Sequence, residues 1–405
     1  MRIVDLLKKA IYIYKTRGSE GVKNAIDNSY GMRDIIQFYG WITDNSVIEL
    51  DKEQKEKMRG EKTTLNWVIP DLDIGSGGHM NIFRFISLLE KMGVHNRIYL
   101  FASTRFASDE EFRSFLKEYY SSTLTSDFVE AYNSTESMTY AHATLATGWQ
   151  TAYFVRRFNN TDEKFYFVQD FEPCFFPLGS EYLFAENTYK FGFKGITAGG
   201  WLKDKLHDEY GMETGSFGFS YDKELYNPKE KHDDVQRLFF YARPVTPRRS
   251  FELGLLALNE IYKKKPNIKV VFAGWDISNY KIPFEHFNAG CVKLEELSEL
   301  YAQCDICIVM STSNLSLLPL EVMASNSVVA TSYGANNEWL IDDQNAILFN
   351  NDPNDIAEKI IYHLDNPDEL QKKRENGKKF ALATSWEDEA RKVYDFIKKE
   401  TNIDE

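Results

Sequence analysis

What most constrains this chain is a regular alternation that begins at "LNWVIP". Short apolar runs, bounded by polar turn residues, take turns with stretches whose apolar residues recur at helical spacing. After "LNWVIP" comes a helix over about 81–92, with Ile82, Phe85, Ile86 and Leu89 on one face and Gly93 as its stop. "NRIYLF" reads as the next strand, and further strands are expected at "YFVQD", "KGITAG", "RLFFYAR", "IKVVFAG", "CDICIVM", "SVVATS" and "NAILF". Helices at about 250–263, 295–302, 317–325 and 354–364 separate the later ones. Strands spaced by helices signal parallel sheets with crossover connections, an α/β class.

The chain of 405 residues is too long for a single core of this kind. The charged, turn-rich "YNPKEKHDDVQ" at 226–236 marks a boundary between two α/β runs. We expect a first domain over 1–232, joined by a returning C-terminal helix at 381–405, and a second over 233–380. Residues 1–60 read as a charged helical extension. In its first 17 residues Ile3, Leu6, Leu7, Ala10, Ile11 and Tyr14 share a helix face among lysines and Arg17, which suits packing on the protein's own surface or contact with an anionic membrane.

Two α/β domains place a ligand in the cleft between them, beyond the carboxyl ends of their strands. The net charge of −13 argues against a nucleic-acid partner, which demands a basic face. No run approaches the roughly 20 apolar residues of a spanning helix. The four cysteines, among them Cys304 and Cys307 in a buried-strand pattern, suit a reducing, cytoplasmic compartment.

"WVIPDLDIGSGGHMNIFRF" offers several chemistries. Asp71 and Asp73 have the spacing of a metal-binding pair, but such pairs are frequent in an acidic chain. The glycines lack the third position of a dinucleotide fingerprint, and no GK[ST] follows for a phosphate loop. What remains is a glycine turn at a helix start, where Gly77 and Gly78 let backbone amides approach an anion or a hydroxyl. His79 follows them. In "VQDFEP", Asp170 and Glu172 are carboxylates positioned after a strand to orient a hydroxyl or to cap a turn.

The second run carries the stronger signal. "FFYARPVTPRRSFELGLLAL" sets Arg243 just past a strand, with Arg248 and Arg249 just before a helix. Guanidinium forks match phosphate oxygens, so these read as an anion clamp. "STSNLSLLPLEVMAS" then leads into a helix with Glu321, whose carboxylate can accept two neighbouring hydroxyls.

This order of features resembles the second domain of family 4 glycosyltransferases of the GT-B fold, over about 100 residues: the arginines, "VFAGW", "CVKLEELSELYAQCDICIVMS" and "PLEVMASNSVVATSYGANNEWL". The first domain, in "ATGWQTAYFVRRF", "YFVQDFEPCFFPLGSEYLFAENTY" and "GGWLKDKLHDEYG", is similar to WsaF-type rhamnosyltransferases, which build bacterial surface (S-layer) glycans from dTDP-rhamnose. The resemblance implies two Rossmann-like domains facing across a cleft, with a helical extension. It implies a retaining, metal-independent hexosyltransferase that uses no cofactor beyond its nucleotide-sugar donor. A lipid-linked glycan acceptor and a place at the inner face of the plasma membrane follow, while a homodimer stays open.

By the same resemblance Arg243, Arg248 and Arg249 hold the diphosphate, Glu321 the ribose, and backbone near Val292 and Leu294 the base, with Tyr301 nearby. Asp170, Arg249 and Glu321 are the candidates for catalysis, and His79, Asp170 and Glu172 for the acceptor or sugar. Ser313 and Asn314 join the donor side. The family's Glu-x7-Glu pattern is incomplete, since Ser313 stands where its first glutamate belongs. A sugar-nucleotide epimerase on the same fold, or a non-catalytic binding module, are the alternatives this leaves.

Overall fold

A computed structural model describes residues 34–401 apart from 51, 59–61, 73, 104 and 126–129. The expected amphipathic stretch at 3–17 and the second member of the Asp71–Asp73 pair lie outside the described residues. Residues 34–47 belong to a separate compact unit, in which Asp34 caps a helix over Ile35–Thr43 by accepting from the Gln37 amide at 2.8 Å.

The larger unit holds two sheets, both parallel throughout. The first comprises β1 (Thr64–Ile69), β2 (His95–Leu100), β3 (Glu130–Tyr132), β4 (Ala141–Ala146), β5 (Thr161–Val168), β6 (Lys194–Ala198) and β7 (Thr214–Phe217). Their spatial order is β3-β2-β1-β4-β5-β6-β7. The second comprises β8 (Arg237–Tyr241), β9 (Lys269–Ala273), β10 (His286–Gly290), β11 (Ile306–Ile308), β12 (Val328–Ser332) and β13 (Ile347–Phe349), ordered β10-β9-β8-β11-β12-β13. The 226–236 segment lies between β7 and β8. Lys231 ties it to the second sheet through Asp305 at 2.7 Å.

Burial explains why these runs became strands and helices. Every residue of β1 and of β4 is buried, as expected of strands covered by helices on both faces. The helix Gly77–Lys91 turns Ile82, Phe85, Ile86 and Leu89 inward, the face its spacing predicts. Phe85 meets Phe217 at 4.6 Å and Phe167 at 5.3 Å between ring centroids. Trp67 packs on Phe167, and its indole N–H donates to Asn96 at 2.8 Å, so burying this large ring strands no polar atom.

The last helix, Trp386–Thr401, returns to the first sheet. Phe396 lies 6.0 Å from Phe165, Glu389 accepts from the Gly218 amide at 2.6 Å, and Lys194 pairs with Glu400. Cys304 and Cys307 are buried, Cys307 within β11, and burial raises both thiols, Cys304 to about 12. They act as small hydrophobes, Cys307 in the strand and Cys304 just before it. Among the described residues, no helix is long and apolar enough to cross a membrane.

Candidate functional site

Each sheet reverses its winding once, the first between β1 and β4 and the second between β8 and β11. At such reversals neighbouring crossovers lie on opposite faces and leave a crevice beyond the carboxyl ends of the strands. The loops after β1, β8 and β11 carry most of the residues singled out from sequence, so topology and residue type select the same place.

After β1, Gly75 adopts φ +74° and turns the chain into the helix Gly77–Lys91. Ser76 does not cap the first-turn amides with its side chain; its hydroxyl lies 2.8 Å from His79 Nδ1 instead. A side-chain carbon at Gly77 meets nothing within 4 Å, so this helix start faces open space. Gly78 is braced from below, its carbonyl accepting from Gln169 Nε2 at 3.0 Å. Asp71 closes a turn, accepting from the Leu72 amide at 3.1 Å and from the Ser103 hydroxyl at 3.0 Å.

After β8, Arg248 and Arg249 occupy a single 3-10 turn, Pro247–Arg249, and Ser250 at φ +50° redirects the chain into the helix Phe251–Lys264. Arg243 lies over the Trp275 ring at 5.7 Å, and Arg248 over Phe175 at 4.3 Å. Burial lowers the Arg249 pKa, Asp170 opposes that shift, and Arg248 and Arg243 deepen it as like charges. Arg249 Nη1 is buried with no hydrogen-bond partner among the described residues. Three guanidinium groups held this close, one with an idle buried donor, are relieved by an anion carrying several oxygens.

Asp170 and Glu172 separate into different roles. Asp170 reaches across to the second domain. Its Oδ1 accepts from the Asn314 amide at 2.8 Å and from its own neighbour Phe171 at 2.8 Å. Its Oδ2 accepts from Ser313 Oγ at 3.0 Å and Arg248 Nε at 3.2 Å. Glu172 stays inside the first domain, accepting from the Trp149 amide at 2.7 Å and the Tyr166 hydroxyl at 2.8 Å, and burial raises it to about 7. Its two oxygens thus support the start of the helix Trp149–Arg157 and a core tyrosine, the capping alternative among the two roles expected of it.

The loop after β11 is pinned from both sides. Asn314 Nδ2 donates to the carbonyls of Gln169 (3.0 Å) and Ala198 (2.8 Å) in the first domain. Its Oδ1 accepts from Trp339 Nε1 at 2.8 Å. Trp339 in turn fills the space beside Gly199, where no side chain fits. Glu321, on the helix Leu318–Ala324, has its carboxyl raised to about 7 by burial, opposed by a hydrogen bond from Tyr226 and by the charge of Arg84. Arg84 stacks on Trp386 at 4.5 Å and donates to Asn81 at 2.9 Å, so the glycine-turn helix and Glu321 share one polar network.

Val292 is half-buried just past β10 and Leu294 exposed at the start of the helix Leu294–Ala302, and β10 is tied to the Gly274 turn, whose amide donates to the Gly290 carbonyl at 2.8 Å. Tyr301 does not accompany them. It is 1% exposed and packs edge-on against Phe239 at 5.1 Å, so its helix turns it into the core and away from any base.

Residues 80–198 match the family described as WsaF, N-terminal domain, and residues 236–361 match WsaF, C-terminal domain. Together they span more than half of the sequence. The chain belongs to the WsaF family. It is similar to the O-antigen biosynthesis protein RfbC of Myxococcus xanthus, 33% identical over 255 residues that make up 62% of this chain and 20% of that protein. The chain thus spans about a fifth of that relative's length.

Among solved structures it is similar to sucrose-phosphate synthase of Thermosynechococcus elongatus, with a TM-score of 0.64 at 14% identity over 85% of this chain and all of that one. It is also similar to Anabaena HepE in complex with UDP and glucose, with a TM-score of 0.59 at 13% identity over 84% of this chain and 99% of that one. These likenesses establish the two-sheet GT-B fold, and the WsaF matches cover the arginine loop and, from residue 80 on, the body of the helix Gly77–Lys91, the glycine turn itself lying before the matched stretch.

The residues that sequence reasoning did not select are Gln169, Gly199, Trp339, Arg84 and Tyr226. Trp339 lay in the quoted "GANNEWL" segment and Gly199 in "GGWLKDKLHDEYG", but nothing in either string says that they meet.

Proposed function

We propose that this chain is a glycosyltransferase that moves rhamnose from dTDP-rhamnose to a growing bacterial surface polysaccharide, with retention of configuration and without a metal ion. The observation that carries the reading is the arginine loop at the second sheet's reversal. It gathers three cations after β8, one with a buried donor that has no partner among the described residues, and the helix start at Gly77 after β1 is open. Diphosphate between them takes its hydrogen bonds from Arg243, Arg248 and Arg249 on one side and from first-turn amides on the other.

In the reaction the bond between the anomeric carbon and the phosphate oxygen breaks as the acceptor oxygen bonds to that carbon on the same face. The acceptor proton passes to the departing phosphate. Negative charge then gathers on the diphosphate, where fixed guanidinium groups stabilise it more than they stabilise the intact donor. Glu321 receives the single 3′-hydroxyl of the deoxyribose, and Ser313 and Asn314 border the sugar. The base lies near Val292 and Leu294, and the acceptor enters past Gly77 and His79. The likeness to HepE, which binds UDP and glucose, and to an O-antigen biosynthesis protein supports a nucleotide-sugar donor and a glycan acceptor. We place the enzyme in the cytoplasm at the inner face of the membrane, with the acceptor lipid-linked.

The test is product analysis by mass spectrometry after incubation with dTDP-rhamnose and a short rhamnan oligosaccharide, with EDTA present. Addition of one deoxyhexose to the acceptor is the expected result. Conversion of the donor sugar in acceptor-free buffer points instead to an epimerase, and no conversion with any acceptor to a binding module.

A further inference from the structure

The carboxylate of Asp170 has about four lone-pair positions, and all four are taken. Only the Phe171 amide comes from its own domain. Arg248, Ser313 and the Asn314 amide all come from the other. Next to these bonds, Gln169 and Ala198 give their carbonyls to Asn314, and Gly199 gives its empty face to Trp339. A group so fully engaged has no capacity left for a sugar hydroxyl or a proton. It also fixes Arg248 through Nε alone, which leaves the paired Nη donors of that fork for another ligand.

We infer that Asp170 is a positioning residue that assembles the donor site only when the two domains close, by clamping Arg248 and the Ser313–Asn314 loop from the opposite side of the cleft. Ser313 is what makes room for it. The residue is fully buried, and its short hydroxyl donates to the incoming carboxylate. A carboxylate at position 313 would meet Asp170 as a like charge at close range. The carboxylate of this junction therefore comes from the first domain, and donor recognition is coupled to closure. A domain that swings open takes Asp170 away, releases Arg248 and the loop together, and frees the diphosphate and its sugar at once.

This inference rests on the proposed function only for the choice of ligand, and its test separates the two. Four chains are compared: wild type, Asp170→Asn, Ser313→Asp, and the exchange Asp170→Ser with Ser313→Asp. Each is measured by small-angle scattering, by hydrogen exchange of the amides at 311–317, by thermal unfolding, and by calorimetric titration with dTDP. Asp170→Asn is expected to expand the molecule and to speed exchange at the Asn314 amide. It should also weaken dTDP by about tenfold to a hundredfold, the loss expected when hydrogen bonds to a charged group go.

Ser313→Asp should do the same through repulsion. The exchange should recover most of the dTDP affinity lost in Ser313→Asp, a coupling that a merely structural role does not produce. Variants that unfold early are recognised by their melting curves, and the exchange then decides. Wild-type scattering, exchange and dTDP affinity in Asp170→Asn, or an exchange no better than Ser313→Asp, overturns the inference. A wild type that ignores dTDP while Asp170→Asn still expands refutes the donor assignment and leaves the clamp standing.

Discussion

At Gly199 the first domain's backbone lies directly against Trp339 of the second, and replacing it by alanine has a calculable cost. Its backbone sits at φ +88° and ψ 162°, a region that residues with a Cβ avoid, for about 1–3 kcal/mol. A Cβ built there lies 2.5 and 2.6 Å from Trp339 Cε2 and Cε3, far inside contact distance, and overpacking of this kind costs about 1–3 kcal/mol more. The indole has little room to yield, because its Nε1 is bonded to Asn314 and its ring packs on Phe219 at 5.3 Å.

The expected loss is thus about 2–6 kcal/mol, or a Tm drop of roughly 4–12 °C at roughly 2 °C per kcal/mol for a chain of this length. Differential scanning calorimetry measures it. The double variant Gly199→Ala with Trp339→Ala should recover the steric part relative to the sum of the single effects. A Gly199→Ala protein melting within about 1 °C of wild type, where several degrees are expected, refutes the claim that this contact fixes the domains.

Other perturbations have signs that follow from the geometry. Glu172 is raised from 4.5 to about 7 by burial, so the folded state keeps a proton that the unfolded chain releases. Its contribution, up to about 3 kcal/mol, is present below about pH 4.5 and lost as pH rises through about 7. Melting curves between pH 5 and 8 should show this decline, and Glu172→Gln should reduce it by about half, leaving the part that Glu321 contributes. Glu172→Ala strands the Trp149 amide and should cost about 1–3 kcal/mol at the acid end of this range, and less as pH rises through about 7. Glu321, also raised to about 7, accepts the deoxyribose 3′-hydroxyl best when ionised, so the rise of dTDP affinity with pH through about 7 should be steeper in wild type than in Glu321→Gln. Gly77→Asp places a carboxylate at a helix start with open space around it, so Tm should hold while transfer is abolished by repulsion of the diphosphate.

Much of the architecture was legible because parallel strands announce themselves as apolar runs and their crossovers as helical periods. The helix over Phe251–Lys264 and the strands "IKVVFAG" and "SVVATS" lie within a residue or two of their expected places. β4, "AHATLA", escaped notice because its alanines and threonines carry no strong strand signal; only burial on both faces reveals it. β10 is exposed at the sheet edge and has no apolar run to read.

At the site, residue type singled out the arginines and the glycine turn as candidates, since few structural roles call for either in such loops. Pairing across the cleft was not legible. That Asp170 meets Ser313, or Gly199 meets Trp339, depends on how two separately folded sheets face one another. For the same reason "QDFEP" does not show that its two carboxylates point into different domains.

The central claim is that the arginine loop receives a nucleoside diphosphate, and the most direct measurement is calorimetric titration of dTDP into wild type and Arg249→Met in the presence of EDTA. The account predicts saturable one-to-one binding to wild type that EDTA does not change. It predicts a loss of about tenfold or more in Arg249→Met, as expected for removing charge-assisted bonds to phosphate, with no fall in Tm. Binding that requires a divalent ion, or that Arg249→Met leaves untouched, contradicts it.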